Sequence, residues 1–330
     1  MTDVLKDVKR ISDPITISLY VKDDKRILLL GDRHLVNKDC TACKPPKCLD
    51  YLSLIKGLDK YHKDTNTDLD VYFEGFAPNN GQNSLEKTQR YLDELVDRYM
   101  LKFQGTPLRL YNVRKALLPK AYFHKTGLKQ RYHYIDHRLT ELFIMYGFDI
   151  MTILMGGEEE KQAYFIHFKS MYPTKASYIH IVKEFCFAKP FDPSLKPRSL
   201  LSKGMTKIGK QYHKLSAADQ RLVKSFVMKR VNVIMDEYDY KEFSGCLTNV
   251  FFMMCLLMDV YAICRFLYYY NQQSKGSTSV FIAGAVHAFN YNLFMKEWNA
   301  KEIDEHTYAF EDLFSISKSC TKVDFGGLNV

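Results

Sequence analysis

Two apolar runs near the amino terminus are separated by one polar cluster. Residues 15–21 (ITISLYV) are rich in β-branched and aromatic side chains, residues 22–25 read Lys-Asp-Asp-Lys, and residues 26–30 (RILLL) resume the run and end at Gly31. This pattern predicts a β-hairpin. The segment ILLL shows no polar alternation, so its strand is expected to be covered on both faces, as central strands of α/β sheets are. Comparable runs occur at 69–73 (LDVYF), 131–135 (RYHYI) and 279–283 (SVFIA). Helical spacing fills the gaps over 49–61 and 85–103, with Asn83 and Glu86 at capping-box separation in the second.

From 156 to 273 the chain predicts helices and no strand. The breaks fall at Pro190, Pro193, Pro197, Gly204 and Gly209. Ser216-Ala-Ala-Asp219 is a capping box opening a helix that runs to about Tyr240, and a very apolar helix follows from Phe243. Gly156-Gly157-Glu158-Glu159-Glu160 reads as a loop and the acidic first turn of a helix, and it lacks the Lys-Ser/Thr of a P-loop. The expected fold is α/β: a mostly parallel central sheet with flanking helices, and a helical insertion over 156–273 before the last core strand. The expectation is one α/β domain over 1–330.

The apolar stretch 250–270 (VFFMMCLLMDVYAICRFLYYY) is long enough to cross a bilayer but carries Asp259 and Arg265. Each charge near mid-span costs about 2.5–3.5 kcal/mol, whereas each Leu or Phe returns only about 0.3–0.6. A buried core helix is the expectation, and no transmembrane span. Composition agrees with a large globular core: 46% of the 330 residues are apolar and 26% charged. The excess of 47 Lys and Arg over 38 Asp and Glu gives +9, but the cations are spread among acids and no base-reading motif accompanies them. Eight cysteines are too few for a disulfide scaffold, and the opening MTDVLKDVKRISD carries no apolar leader. A cytoplasmic location is expected, or a virion if the chain is virus-encoded.

Each buried-strand candidate ends in polar chemistry. ILLL runs into Gly31-Asp32-Arg33-His34, VYF into Glu74-Gly75, HYI into Asp136-His137-Arg138, and FIA into Gly284-Ala285-Val286-His287. Ligands of open α/β sheets bind outside the carboxyl ends of the strands, so these clusters are expected to converge. The two G-x-x-H segments each place an imidazole near the start of the next helix, after a glycine that permits close backbone approach. His34, Glu74 and His287 together would make a His₂Glu set with an open position for water. That composition suits catalytic zinc, is compatible with manganese or cobalt, and serves equally well for metal-free acid and base work. Gly31, Asp32 and Gly284 are the candidate ligand-contacting positions beside it.

This order, GxxH at the first core strand, Glu at the end of the next and a late GxxH at the last, resembles the superfamily of the TraB and Tiki proteins, the erythromycin esterase-like enzymes and the ChaN-like haem-binding proteins. The matching residues are Gly31 to His34, Glu74-Gly75 and Gly284 to His287. The chain is also similar to proteins of large DNA viruses with a GD-x-H start, a D-x-R strand end like Asp136 to Arg138, and a D-x-Y helix with a following Arg, like Asp259, Tyr261 and Arg265. The first resemblance implies one pocket and a hydrolase of peptide or ester bonds, metal-dependent as in the Tiki relatives or using a His base as in the erythromycin esterase relatives. The chain departs from it with Asp-Arg between Gly31 and His34, and with Glu-Gly-Phe where several relatives have Glu-Arg. The second resemblance implies the alternative, a binding or virion-structural protein that keeps the fold without turnover, with virion proteins as partners.

Asp259 and Arg265 lie in a helix otherwise apolar on all sides, so each is expected to reach a partner or a wet cavity. Six residues apart, they stand about 240° apart around the helix and cannot simply satisfy each other. Arg265 is a candidate clamp for Asp136 or for an anionic substrate group, and Asp259 a candidate to orient a His or hold Arg138, with a buried structural ion pair as the other reading. Cys40, Cys43 and Cys48 fall within nine residues but lack a fourth zinc ligand, so loop thiols are expected. The tyrosines at 268–270 are expected to pack the helices. No Gly-x-Ser-x-Gly elbow marks a serine hydrolase.

Overall fold

Continuous apolar runs become the middle of a six-stranded sheet. The computed structural model describes residues 10–11, 16–32, 48–49, 51–74, 117, 129–135, 157–187, 206–306 and 321–322. Its strands are β1 (Arg10–Ile11), β2 (Thr16–Lys22), β3 (Lys25–Asp32), β4 (Cys48–Leu49), β5 (Leu69–Phe73), β6 (Gln130–Tyr134), β7 (Thr278–Gly284), β8 (Lys301–His306) and β9 (Thr321–Lys322). The large sheet has the order β6-β5-β7-β3-β2-β8; two-residue strands β4, β1 and β9 make a small second sheet. Strands β6, β5, β7 and β3 are mutually parallel, and β2 runs antiparallel to both β3 and β8. The sheet is thus mostly parallel, as the sequence predicts. The strand β8, KEIDEH, was not among the expected strands.

The helices are α1 (Tyr51–Asp64), α2 (Glu158–Met171), α3 (Lys175–Phe187), α4 (Thr206–Tyr212), α5 (Ala217–Glu237), α6 (Phe243–Tyr270) and α7 (Ala285–Glu297). The chain divides into two compact units: Met1–Gly75, Gln82–Ile135 and Tyr269–Val330 form the first, Phe76–Gly81 and Asp136–Tyr268 the second.

The first unit holds the sheet. Leu28, Leu30, Leu69, Val71, Phe73, Val280 and Ile282 share a core with Leu54, Ile55 and Leu58 of α1. Alternate residues turn to the other face, where the Phe281 ring centroid lies 4.9 Å from that of Tyr291 in α7 and the Tyr20 hydroxyl donates to Asn292 Oδ1 at 3.1 Å. Both faces are covered, so no polar alternation survives in β3 or β7.

The β2–β3 hairpin turns through Asp23 and Asp24, with φ of 49° and 60°. Two consecutive left-handed residues make a type I′ turn, which favours Asn-Gly. Lysines flank the turn. Lys22 Nζ donates to the Trp298 carbonyl oxygen at 3.0 Å, past the end of α7, and Lys25 Nζ to that of Tyr270 at 2.8 Å, at the end of α6. Cations here satisfy end carbonyls and oppose the negative ends of the helix dipoles. Replacing Asp23-Asp24 with Asn-Gly is expected to raise stability by about 0.5–1 kcal/mol, since the second left-handed residue loses its Cβ penalty. A urea midpoint that falls instead would contradict the turn assignment.

In the second unit every described segment that forms an element is helical. Ser216 caps α5, its Oγ accepting from the Asp219 amide at 3.1 Å. Glu158, Glu159 and Glu160 fill the first turn of α2, where the Gly157 amide donates to Glu160 Oε2 at 2.8 Å. Phe168, Tyr172, Tyr178 and Tyr240 pack ring against ring. Within α6, the one described helix long and apolar enough to cross a membrane, 83% of the most apolar stretch is buried, the pattern of a core helix.

Candidate active site

Parallel strands in register bring their carboxyl ends to one edge. Asp32 of β3 is paired with Gly284 of β7, and Phe73 of β5 with both Ile282 of β7 and Tyr134 of β6. Glu74 continues the ladder by one bond, its amide donating to the Ile282 carbonyl oxygen at 2.8 Å. Its side chain turns toward β7, where Glu74 Oε2 accepts the Gly284 amide at 2.6 Å. Gly284 is also the N-cap of α7, so this carboxylate lies at the positive end of the helix. His287 is the third residue of that helix, and its Nε2 lies 3.9 Å from Glu74 Oε1. Both side chains are almost fully buried, at 3% and 2% exposure.

One oxygen of Glu74 is therefore tethered and the other faces an imidazole. A separation of 3.9 Å is longer than a hydrogen bond and short enough for attraction once the imidazole carries a proton. Such contacts commonly tighten when substrate binds. The arrangement suits a histidine that takes up a proton beside a fixed carboxylate. Two ligands of one zinc, each about 2.1 Å from it at a tetrahedral angle, would lie about 3.4 Å apart, roughly half an ångström closer than these atoms. Among the described residues no three His, Cys, Asp or Glu side chains gather to hold a metal ion. The third expected ligand, His34, lies outside the described residues, as do Asp136, Arg138, Cys40 and Cys43.

Asp32 is buried at the end of β3, and Gly31 packs under α7. Asp259 and Arg265 belong to the second unit. Asp259 is fully buried, and its carboxylate opposes the downward shift that burial imposes on the Arg230 guanidinium of α5. Arg265 is half-buried and its Nη1 donates to the Tyr261 hydroxyl at 3.4 Å.

A second polar cluster, which the sequence reading missed, occupies the sheet nearer the amino ends of its strands. Asp70 Oδ2 accepts Arg131 Nη2 at 2.6 Å and Gln273 Nε2 at 2.5 Å; its Oδ1 accepts Arg131 Nε at 2.7 Å and lies 2.6 Å from His133 Nε2. Asp68 accepts Arg131 Nη1 at 3.2 Å, and the Ser274 amide and hydroxyl at 2.9 and 2.8 Å. Burial alone would raise the Asp70 pKa, but the bonds from His133 and Arg131 outweigh it and hold the carboxyl at about 2. The His133 ring is stacked on Tyr72 with centroids 4.5 Å apart. A signal was present: Asp-x-Asp at 68–70 and Arg-x-His at 131–133 are period-2 pairs on adjacent strands, with Asp70 directly opposite Arg131.

Comparison with protein-family models, with curated proteins and with solved structures found no match.

Proposed function

We propose that the chain is a hydrolase of peptide or ester bonds whose centre lies at the carboxyl edge of the sheet, built on Glu74 and His287 and completed by His34. The observation that carries this reading is the buried pair itself: a carboxylate tethered by the Gly284 amide, with its second oxygen 3.9 Å from the His287 imidazole. Asp32 ends β3 beside Gly284, and His34 follows Asp32 by two positions in the sequence. The two G-x-x-H segments and Glu74-Gly75, which resemble those of the TraB and Tiki superfamily, support the same reading.

In this reading His287 removes a proton from the attacking water, and the ionised Glu74 stabilises the resulting imidazolium. The water oxygen bonds to the carbonyl carbon. His287 then returns the proton to the leaving alcohol or amine as its bond to that carbon breaks. In the alternative, metal-dependent form, His34, Glu74 and His287 would instead hold manganese, cobalt or zinc, and such an ion would supply a bound water of lowered pKa in place of the histidine base.

The test uses the full chain purified without chelator and assayed on ester, peptide and phosphoester panels. Assays are repeated after dialysis against EDTA and after return of each metal. Turnover of an ester or peptide is expected, falling about a hundredfold or more in His287→Ala and in Glu74→Gln with circular dichroism unchanged. Loss on EDTA treatment with recovery on one metal assigns the metal-dependent form. Absence of turnover under every condition, or full activity in both His34→Ala and His287→Ala, overturns the reading in favour of a binding or virion-structural protein.

A further inference from the structure

We infer that Gly31 is a positioning residue: its missing side chain seats the first turn of α7 so that Gly284 and His287 meet Glu74. A Cβ built on Gly31 would lie 2.2 Å from Thr16 Oγ1, 2.8 Å from the Ala288 Cβ and 3.1 Å from the Ala285 Cα. Thr16 is its neighbour in register on β2, and the two alanines belong to the first turns of α7. The threonine hydroxyl can rotate away, but the alanine Cβ and the helix backbone cannot, so a side chain at position 31 must displace the helix.

What would move is the working geometry. Ala285 and Ala288, three residues apart, share the helix face resting on β3. His287 stands about 100° around the axis from Ala288, and Gly284, which donates to Glu74 at 2.6 Å, immediately precedes Ala285. Contact with β3 on one side and the bond to β5 on the other therefore fix the same turn laterally. A shift of a few tenths of an ångström away from β3 carries Gly284 and His287 with it. The G-x-x-H spacing at Gly31 thus serves the opposite partner: it admits the helix that brings the second G-x-x-H to Glu74.

The readout is the Gly284 amide proton, followed by NMR and by hydrogen exchange in the full chain. In Gly31→Ala its resonance is expected to move toward its position in Glu74→Gln. Its exchange is expected to accelerate roughly 10- to 100-fold beyond that of neighbouring β7 amides, the size of a lost bond to a charged acceptor. Adding Ala288→Gly to Gly31→Ala should restore both signals. If Gly31→Ala does not fold, Ala288→Ser adds one atom from the opposite side of the contact and is read in the same way. A Gly284 amide unchanged in the folded variant, or altered no more than amides throughout the sheet, overturns the seat. Gly31 matters for turnover only if Glu74 and His287 do the chemistry, whereas the amide signal reports the seat whether or not turnover exists.

Discussion

Replacing Arg131 with Met is expected to cost about 3–5 kcal/mol of stability, because it strips the fully buried Asp70 of the guanidinium that it shares with Asp68. Arg131 gives Asp70 two bonds, at 2.7 and 2.6 Å, and a third to Asp68 at 3.2 Å. Gln273 and His133 remain in the variant, but the glutamine is neutral and the two buried carboxylates would face each other with their shared guanidinium gone. The methionine stem retains most of the apolar contact, so the loss is electrostatic and not a cavity effect. The double variant Arg131→Met/Asp70→Asn should recover a large part of it, since removing both charges also removes the desolvation penalty. Urea midpoints of the two single variants and the double close the cycle. A cost below about 1 kcal/mol in Arg131→Met would show that Asp70 does not depend on its cation.

This cluster also shows where sequence reading succeeds and stops. The run ILLL announced β3 because burial on both faces erases polar alternation, and the same logic located β5, β6 and β7 to within a residue or so. Strand β8 carries five ionisable side chains among six residues and reads as a loop. At a sheet edge such charge is compatible with pairing on one side and discourages it on the other. The link from Asp68 and Asp70 to Gln273 and Ser274 spans 203 and 206 residues and follows only from insertion of β7 beside β5. Glu74 and His287 were legible as strand-end chemistry, but the role of Gly284 as amide donor depends on the register of β5 against β7. The proximity of Asp259 to Arg230 was hidden for the same reason, since two helices must pack before the charges meet.

Acid should unfold the protein in two stages governed by different residues. His62, buried near the end of α1, has its Nδ1 2.7 Å from Thr67 Oγ1, while its Nε2 has no hydrogen-bond partner. Burial, reinforced by the charge of Arg26, lowers its pKa from 6.5 to about 4. As pH falls below about 6.5 the unfolded chain takes up a proton at this position and the folded chain does not. Stability is therefore lost between about pH 6.5 and 4, by roughly 3 kcal/mol, and this residue costs nothing more below that. Asp70 acts next. Its folded pKa of about 2 lies below the ordinary 3.8, so its contribution is intact above pH 3.8 and disappears as pH falls through 2, removing roughly another 2 kcal/mol. Urea midpoints between pH 7 and 2 should fall along both limbs. In His62→Leu, which fills the buried site without titrating, the limb from pH 6.5 to 4 should flatten while the lower one persists; in Asp70→Asn the reverse should hold. Parallel profiles for wild type and His62→Leu above pH 4 would show that His62 is not the buried base that sets the first limb.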